Sequence, residues 1–314
     1  MSLRIMGEEM MDLGADHAVE AILKAGLARE TRALASVVPV LRHFLGSDAH
    51  GLLSEAVLAR VQGMILDLAA QLLAAQAGYD PATRAPTSDP AAIDRLAEAL
   101  LADDTLLAFC HALAAEGLIA ERLHQRHALD PVLSPLLQEL IAAEDTGVAS
   151  LAMSTLAAQS RFVQAQRRME LPLGELPAEL FHALVARIGA GSAGMARLQT
   201  DYDEATSRLG LLARLVTAMR RGALAALGLD HAGMALFASA IASATRRPRA
   251  AAVLACYEGQ GTHLALMLRA AGLAPAAIER ELLLIEPAAR LPRLLADCSA
   301  EQALALLAAG GPDQ

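Results

Sequence analysis

Residues 195–221, MARLQTDYDEATSRLGLLARLVTAMRR, decide the fold class. Leu198, Tyr202, Ala205, Leu209, Leu212, Val216 and Met219 follow one another at intervals of three or four, while Arg197, Asp201, Glu204 and Arg208 fall on the opposite side. A helix puts such positions on one face, whereas a half-buried strand alternates with period two. The spacing predicts one continuous amphipathic helix over 195–221. The same rhythm predicts helices near 16–28, 30–45, 52–77, 104–127, 146–168, 177–189, 231–244, 249–257, 262–271 and 275–285.

Composition agrees with an all-α fold. The 314 residues are 55% apolar, 19% charged and only 3% aromatic, with no Trp, 5 Phe and 3 Tyr, so the core is built mainly from Ala and Leu. That apolar content excludes a chain kept unfolded by charge. Strands draw on β-branched and aromatic residues, while Ala, Leu, Arg, Glu and Gln are among the best helix formers. The net charge of −9 argues against binding nucleic acid, which needs cations to displace counterions from phosphates. Residues 1–157 carry 10 basic and 21 acidic side chains (net −11) and residues 158–314 carry 16 and 14 (net +2), which suggests two different surfaces.

The three cysteines, Cys110, Cys256 and Cys298, form no C-x-x-C pair, so they encode neither a disulfide framework nor a thiolate zinc site. Residues 1–16 have no apolar signal region, and the longest charge-free runs, 147–160 and 231–245, are shorter than the roughly 18–20 residues a spanning helix needs. These features predict a cytoplasmic chain with no membrane span.

Proline at the first helical position marks helix starts. Asp89-Pro90 opens a helix to about residue 101, and Asp130-Pro131 one to about 143. Ser299 and Gln302 have capping-box spacing ahead of the last apolar run. GYDPATRAPTSD (78–89) reads as a loop, and ELPLGELP (170–177) as the main boundary, giving an acidic N-terminal helical domain, 1–170, and a repeat-like helical domain, 171–314. Aligning Pro248 with Pro275, at an offset of 27, repeats a helix, a turn and a second Pro-opened helix. Stacked helix pairs of that kind have HEAT-like, α-solenoid character. The predicted architecture is an N-terminal bundle followed by such pairs. The run 258–285, EGQGTHLALMLRAAGLAPAAIERELLLI, resembles the closing motif of an uncharacterised alphaproteobacterial group, domain-of-unknown-function family 2336: a Gly turn, an L-A-L helix, an A-G-L turn and a Leu-rich helix. The resemblance implies an all-helical, HEAT-like fold and brings no catalytic residues.

Several constellations could carry chemistry. Glu121/His124 and Glu179/His182 are two E-x-x-H pairs, the spacing by which helical-bundle di-iron proteins present ligands. Against this, Glu179 falls in a first helical turn, where the dipole already accounts for a carboxylate. Cys110, His111, His124 and His127 share one predicted helix, but Cys110 and His124 are separated by about 21 Å along it. Gly189 to Gly194 fits G-x-G-x-x-G, yet a helical face and not a strand precedes it, so it reads as a turn between helices. Tyr257, Glu258 and His263 gather at a Gly turn as a cleft candidate. Arg246, Arg247 and Arg249 offer a patch for a partner or an anion, and a solvated helix end is the simpler reading. Together the residues predict a non-catalytic helical scaffold or adaptor of bacterial type, needing no cofactor and binding a protein partner or a second copy of itself. The alternatives are a metal-dependent enzyme on Glu121, His124, Glu179 and His182, and a regulatory small-anion binder.

Overall fold

Capping side chains place half of the helix starts. The computed structural model describes residues 20–40, 54–81, 89–189, 192–289, 295 and 297–309, and all regular structure among them is helical, with no strand. The α-helices are α1 (20–35), α2 (Glu55–Gln76), α3 (Pro90–Leu100), α4 (Asp104–His127), α5 (Pro135–Ile141), α6 (Thr146–Arg167), α7 (Ala178–Ile188) and α8 (Ala193–Asp201). They continue as α9 (Arg208–Ala218), α10 (Leu229–Thr245), α11 (Arg249–Ala255), α12 (Gly261–Ala270), α13 (Pro275–Ile285) and α14 (Ala300–Ala309), with short 3-10 turns between some of them. The Asp89 side chain accepts from the Ala91 N–H ahead of Pro90, as its cap position predicts. The capping box is reciprocal: the Ser299 N–H donates to Gln302 Oε1 at 2.7 Å and the Gln302 N–H to Ser299 Oγ at 3.1 Å.

Two compact units divide the chain. The larger lies within Val38–Ser243, and the smaller combines described residues before position 38 with those from Ala244 onward. The boundary expected between 170 and 171 therefore falls inside the larger unit. Residues 170–177 are not a linker, because Leu171, Leu173 and Leu176 are buried. Gln71 on α2 ties that segment down, donating to the Leu171 carbonyl at 2.9 Å and accepting from the Leu173 N–H at 3.0 Å. Pro172 and Pro177 keep an α-helix from running through the segment, which holds a single 3-10 turn, Leu173–Glu175, and buries its three leucines.

The larger unit is built around α2, which packs against α3, α4, α7 and α8, while α6 packs against α4, α5 and α9. Val61, Met64, Ile65, Leu68 and Leu72 form the buried stripe of α2, each contributing about 1.5–3 kcal/mol through removal from water. This helix is long and apolar enough to cross a bilayer, with half of its most apolar window buried within the protein. In the smaller unit α12 packs against α11, α13 and α14, burying Leu264, Ala265, Leu266, Met267 and Leu268.

Three helix expectations need correction. The break expected between the helices near 16–28 and 30–45 is absent, because α1 runs without interruption over 20–35. No helix starts at Asp130-Pro131: the Asp130 carboxylate accepts from the Val132 and Leu133 N–H groups in a turn, and α5 begins four residues later, at the Ser134-Pro135 pair, with Ser134 Oγ accepting from Leu137 N–H. The helix predicted over 195–221 is broken. α8 ends at Asp201, a 3-10 turn occupies Glu204–Thr206, α9 runs from Arg208 to Ala218, and Arg220–Leu227 is a second 3-10 run. Asp203 and Ser207 each cap a new start, accepting from Ala205 N–H and Gly210 N–H. Inside α10, Gly233 takes φ +68, where an added Cβ would stand 3.0 Å from Ser134 Cβ. Only glycine accepts that backbone at that contact.

Candidate functional site

The interior of the larger unit holds a chain of charged and amide side chains between α4 and α6. Arg208, the first residue of α9, is 1% exposed. Its guanidinium donates in a fork to Glu116 on α4, Nη1 to Oε1 at 2.7 Å and Nη2 to Oε2 at 2.8 Å. Nη1 also donates to Gln159 Oε1 at 3.2 Å, and the guanidinium carbon lies 3.6 Å from the centre of the Phe162 ring on α6. Such a fork matches the rigid geometry of arginine to a carboxylate, and the ring face adds a cation–π contact. Gln159 Nε2 donates in turn to the Pro131 carbonyl at 2.8 Å. The backbone N–H of Arg208 donates to Glu175 Oε2 at 2.8 Å, so a carboxylate sits at the start of α9. Burial raises the pKa of Glu175, opposed by that hydrogen bond and by Arg208 and Arg161.

Beside this pair runs a second. Arg60 on α2 donates through Nη2 to both carboxylate oxygens of Glu121, at 2.8 and 2.7 Å. A cavity of about 200 Å³ opens next to it, lined among others by Gly117, Glu121, His124, Phe162 and Gln166. A smaller one of about 150 Å³ adjoins Arg161, Glu175 and Arg208.

Of the residues expected to hold metal, Glu121 is engaged by Arg60, and His124 is exposed with Nδ1 3.1 Å from the Leu129 carbonyl. Glu179 and His182 are exposed on α7. His182 rests against Phe181 and Tyr202, whose rings stack at 3.8 Å, and the Tyr202 hydroxyl donates to the Leu176 carbonyl at 2.8 Å. Burial, then Glu204 and Asp203, push that phenol up to about 12. Among the described residues no three His, Cys, Asp or Glu side chains converge where they could hold a metal ion, so the two E-x-x-H pairs do not form a shared centre there. An arginine at 2.7 Å already occupies the Glu121 carboxylate that such a centre would need.

The remaining candidates fall in several places. Gly189 ends α7 with φ +94 and Ser192 caps α8, accepting from Met195 N–H; residues 190 and 191 lie outside the described residues. The glycine run therefore connects helices. Cys110 is fully buried, its thiol pushed up to about 12 by that burial. In the smaller unit Arg246 is exposed with φ +54, while Arg247 donates to the Leu307 carbonyl in the last turn of α14. Arg247 thus acts at a helix C-terminus. Glu30 on α1 accepts from the N–H groups of Thr262 (3.1 Å) and His263 (2.7 Å), closing the start of α12. Burial raises the pKa of Glu30 against the pull of those bonds. Of the group Tyr257, Glu258 and His263, Glu258 is exposed and His263 is buried. No family model matches the chain, and neither a curated protein nor a solved structure matches it.

Burial lowers His111 to about 4, and burial with nearby Arg247 lowers His263 to about 4. Between that value and the ordinary 6.5 the unfolded chain binds protons that the native state does not, so stability falls as pH falls through the window. Glu30 and Glu175, raised by burial, act in the opposite sense, since the native state holds their protons more tightly. The thermal midpoint is expected to drop from pH 7 to pH 5, with a shallower drop in His111→Leu and in His263→Leu. A wild-type midpoint flat across that range would contradict the assignment.

Proposed function

We propose that this chain is a non-catalytic helical scaffold or adaptor that works by binding a protein partner, a second copy of itself included. The observation that carries the reading is the segment Arg220–Leu227. It is eight residues of 3-10 helix, its first residue is held at φ +51, and it presents Leu224, 66% exposed, next to the exposed Arg220 and Arg221. Runs of 3-10 helix beyond three or four residues are uncommon and often mark strain or function. An exposed leucine beside two arginines suits an apolar pocket with an acidic rim. Four buried or half-buried carboxylates favour the same reading, because Glu116 and Glu121 are matched to arginines and Glu30 and Glu175 to backbone N–H groups. In this reading the helix pairs of the smaller unit are stacked repeats of HEAT-like character, α2 is a core helix and not a span, and the buried thiols of Cys110, Cys256 and Cys298 belong to a reducing cytoplasm. Kinship of 258–285 with domain-of-unknown-function family 2336 is part of the same proposal.

A photo-crosslinking residue in place of Leu224, in the full chain expressed in bacteria, tests it. The expected result is one discrete adduct, either of twice the chain mass or with one other protein, lost when Arg220 and Arg221 are both changed to Glu. Labelling no different from that at the exposed Ala225 would overturn it.

A further inference from the structure

The cavity of about 200 Å³ between α4 and α6 grades from a buried floor to an exposed mouth. Its deep polar groups are already committed or closed off. Gln159 accepts from Arg208 through Oε1 and donates to the Pro131 carbonyl through Nε2, Glu116 is forked by Arg208, and Gln166 Oε1 is shut away from solvent. What the interior offers a guest is therefore carbon: Phe162 and Val163, half-buried on α6, with Ala120 and Met234. A cavity of about 150 Å³ with apolar walls takes a benzene ring. At the mouth stand His124, Gln125 and Arg167, all exposed. Arg167, in the last turn of α6, has no ion-pair or hydrogen-bond partner among the described residues. Glu121 on the same wall is held by Arg60 and Glu116 by Arg208, so Arg167 leaves the wall with a positive charge in excess.

We propose that this cavity binds a small monocarboxylate with an apolar body, the body against Phe162, Val163 and Met234 and the carboxylate at the mouth on Arg167. The guanidinium offers a carboxylate a planar fork of donors. An ammonium of the same shape meets the excess positive charge, and both carboxylates of the wall are already held by arginines. A neutral amide gains the same burial without the ion pair. A carboxylate with no apolar body gains the ion pair without the burial, and an exposed pair alone is worth little. The site shares no residue with the Arg220–Leu227 surface, so either proposal can stand without the other.

Phenylacetate, phenylacetamide, phenethylamine and acetate separate the charge from the ring, which makes them the probes. With the full chain, phenylacetate is expected to raise the thermal midpoint saturably and to show ligand-observed NMR saturation transfer, with the other three at least tenfold weaker. Arg167→Gln alters an exposed side chain without a partner, so the fold is kept. It is expected to weaken phenylacetate at least tenfold and to leave phenylacetamide unchanged. Arg168→Gln removes the neighbouring charge, which pairs with Glu170 and does not line the cavity, and is expected to leave phenylacetate binding as it was. Val163→Phe fills the interior and is expected to abolish binding; should it not fold, the Arg167→Gln and Arg168→Gln pair still decides. Absence of saturable phenylacetate binding, equal binding of any other probe, binding untouched by Arg167→Gln, or equal loss in Arg167→Gln and Arg168→Gln would overturn the proposal.

Discussion

Arg208→Met is expected to lower the stability of the larger unit by about 3–5 kcal/mol, the loss typical when one partner of a buried ion pair is removed and the other charge is left without compensation. Glu116 is the stranded charge. It and Arg208 are 2% and 1% exposed at the side chain, so water cannot reach the carboxylate once the guanidinium is gone. Gln159 Oε1 and the Phe162 face lose their partner in the same step. The double variant Glu116→Met, Arg208→Met removes both charges and fills similar volume, and is expected to recover most of the loss, because an apolar replacement of a buried pair is often neutral or better. Arg197→Ala breaks an ion pair with Asp201 in which both side chains are more than 60% exposed, and is expected to change stability by less than about 0.5 kcal/mol. Urea midpoints followed by far-UV circular dichroism read all three, since the chain has no Trp to report by fluorescence. A single variant as stable as wild type would mean that the pair contributes nothing.

That ion pair could not be read from the sequence, and the cause is local. On an unbroken helix over 195–221, Arg208 shares the polar side with Arg197, Asp201 and Glu204. The turn at Glu204–Thr206 resets the helical phase, so that Arg208 opens α9 buried while its predicted neighbours stay exposed. The signals for the break were present, Asp203 and Ser207 at cap positions, but seven apolar residues in helical register outweighed them. Elsewhere caps and periodicity coincide and the reading is close: α4 spans 104–127 as predicted, and α6 ends one residue early. The burial of 170–177 is not legible in the sequence, because proline and glycine content speaks to local conformation and not to burial, and Gln71 holds the segment from a hundred positions away. The cavity between α4 and α6 has the same character. Gly117 passes as an ordinary helical glycine until Arg60 and Gln166 are seen to meet above it.

Gly194→Ala is the second change expected to be severe, at about 1–3 kcal/mol for forcing added volume into a packed contact. The third glycine of the G-x-G-x-x-G run lies in the first turn of α8, where an added Cβ would come within 2.2 Å of the Ala75 carbonyl oxygen and 3.0 Å of Gly78 Cα. These are backbone atoms at the end of α2, which cannot swing aside as a side chain would. Ser192 Oγ donates to the same Ala75 carbonyl at 3.2 Å, so displacing α8 also strains the bond that fixes its start. Gly189, and Gly174 as a control outside the run, separate the possible causes. Gly189→Ala meets no atom within 4 Å but must hold φ +94, so its loss comes from backbone strain alone. Gly174→Ala also meets nothing within 4 Å and has no left-handed φ, so it is expected to be neutral or to gain up to about 1 kcal/mol from the less flexible unfolded chain. Equal urea midpoints for all three variants would mean that neither the contact at Gly194 nor the backbone angle at Gly189 constrains these positions. If the run serves helix packing, urea midpoints should rank Gly174→Ala above Gly189→Ala, with Gly194→Ala lowest, and that order follows from contact distance and backbone angle alone.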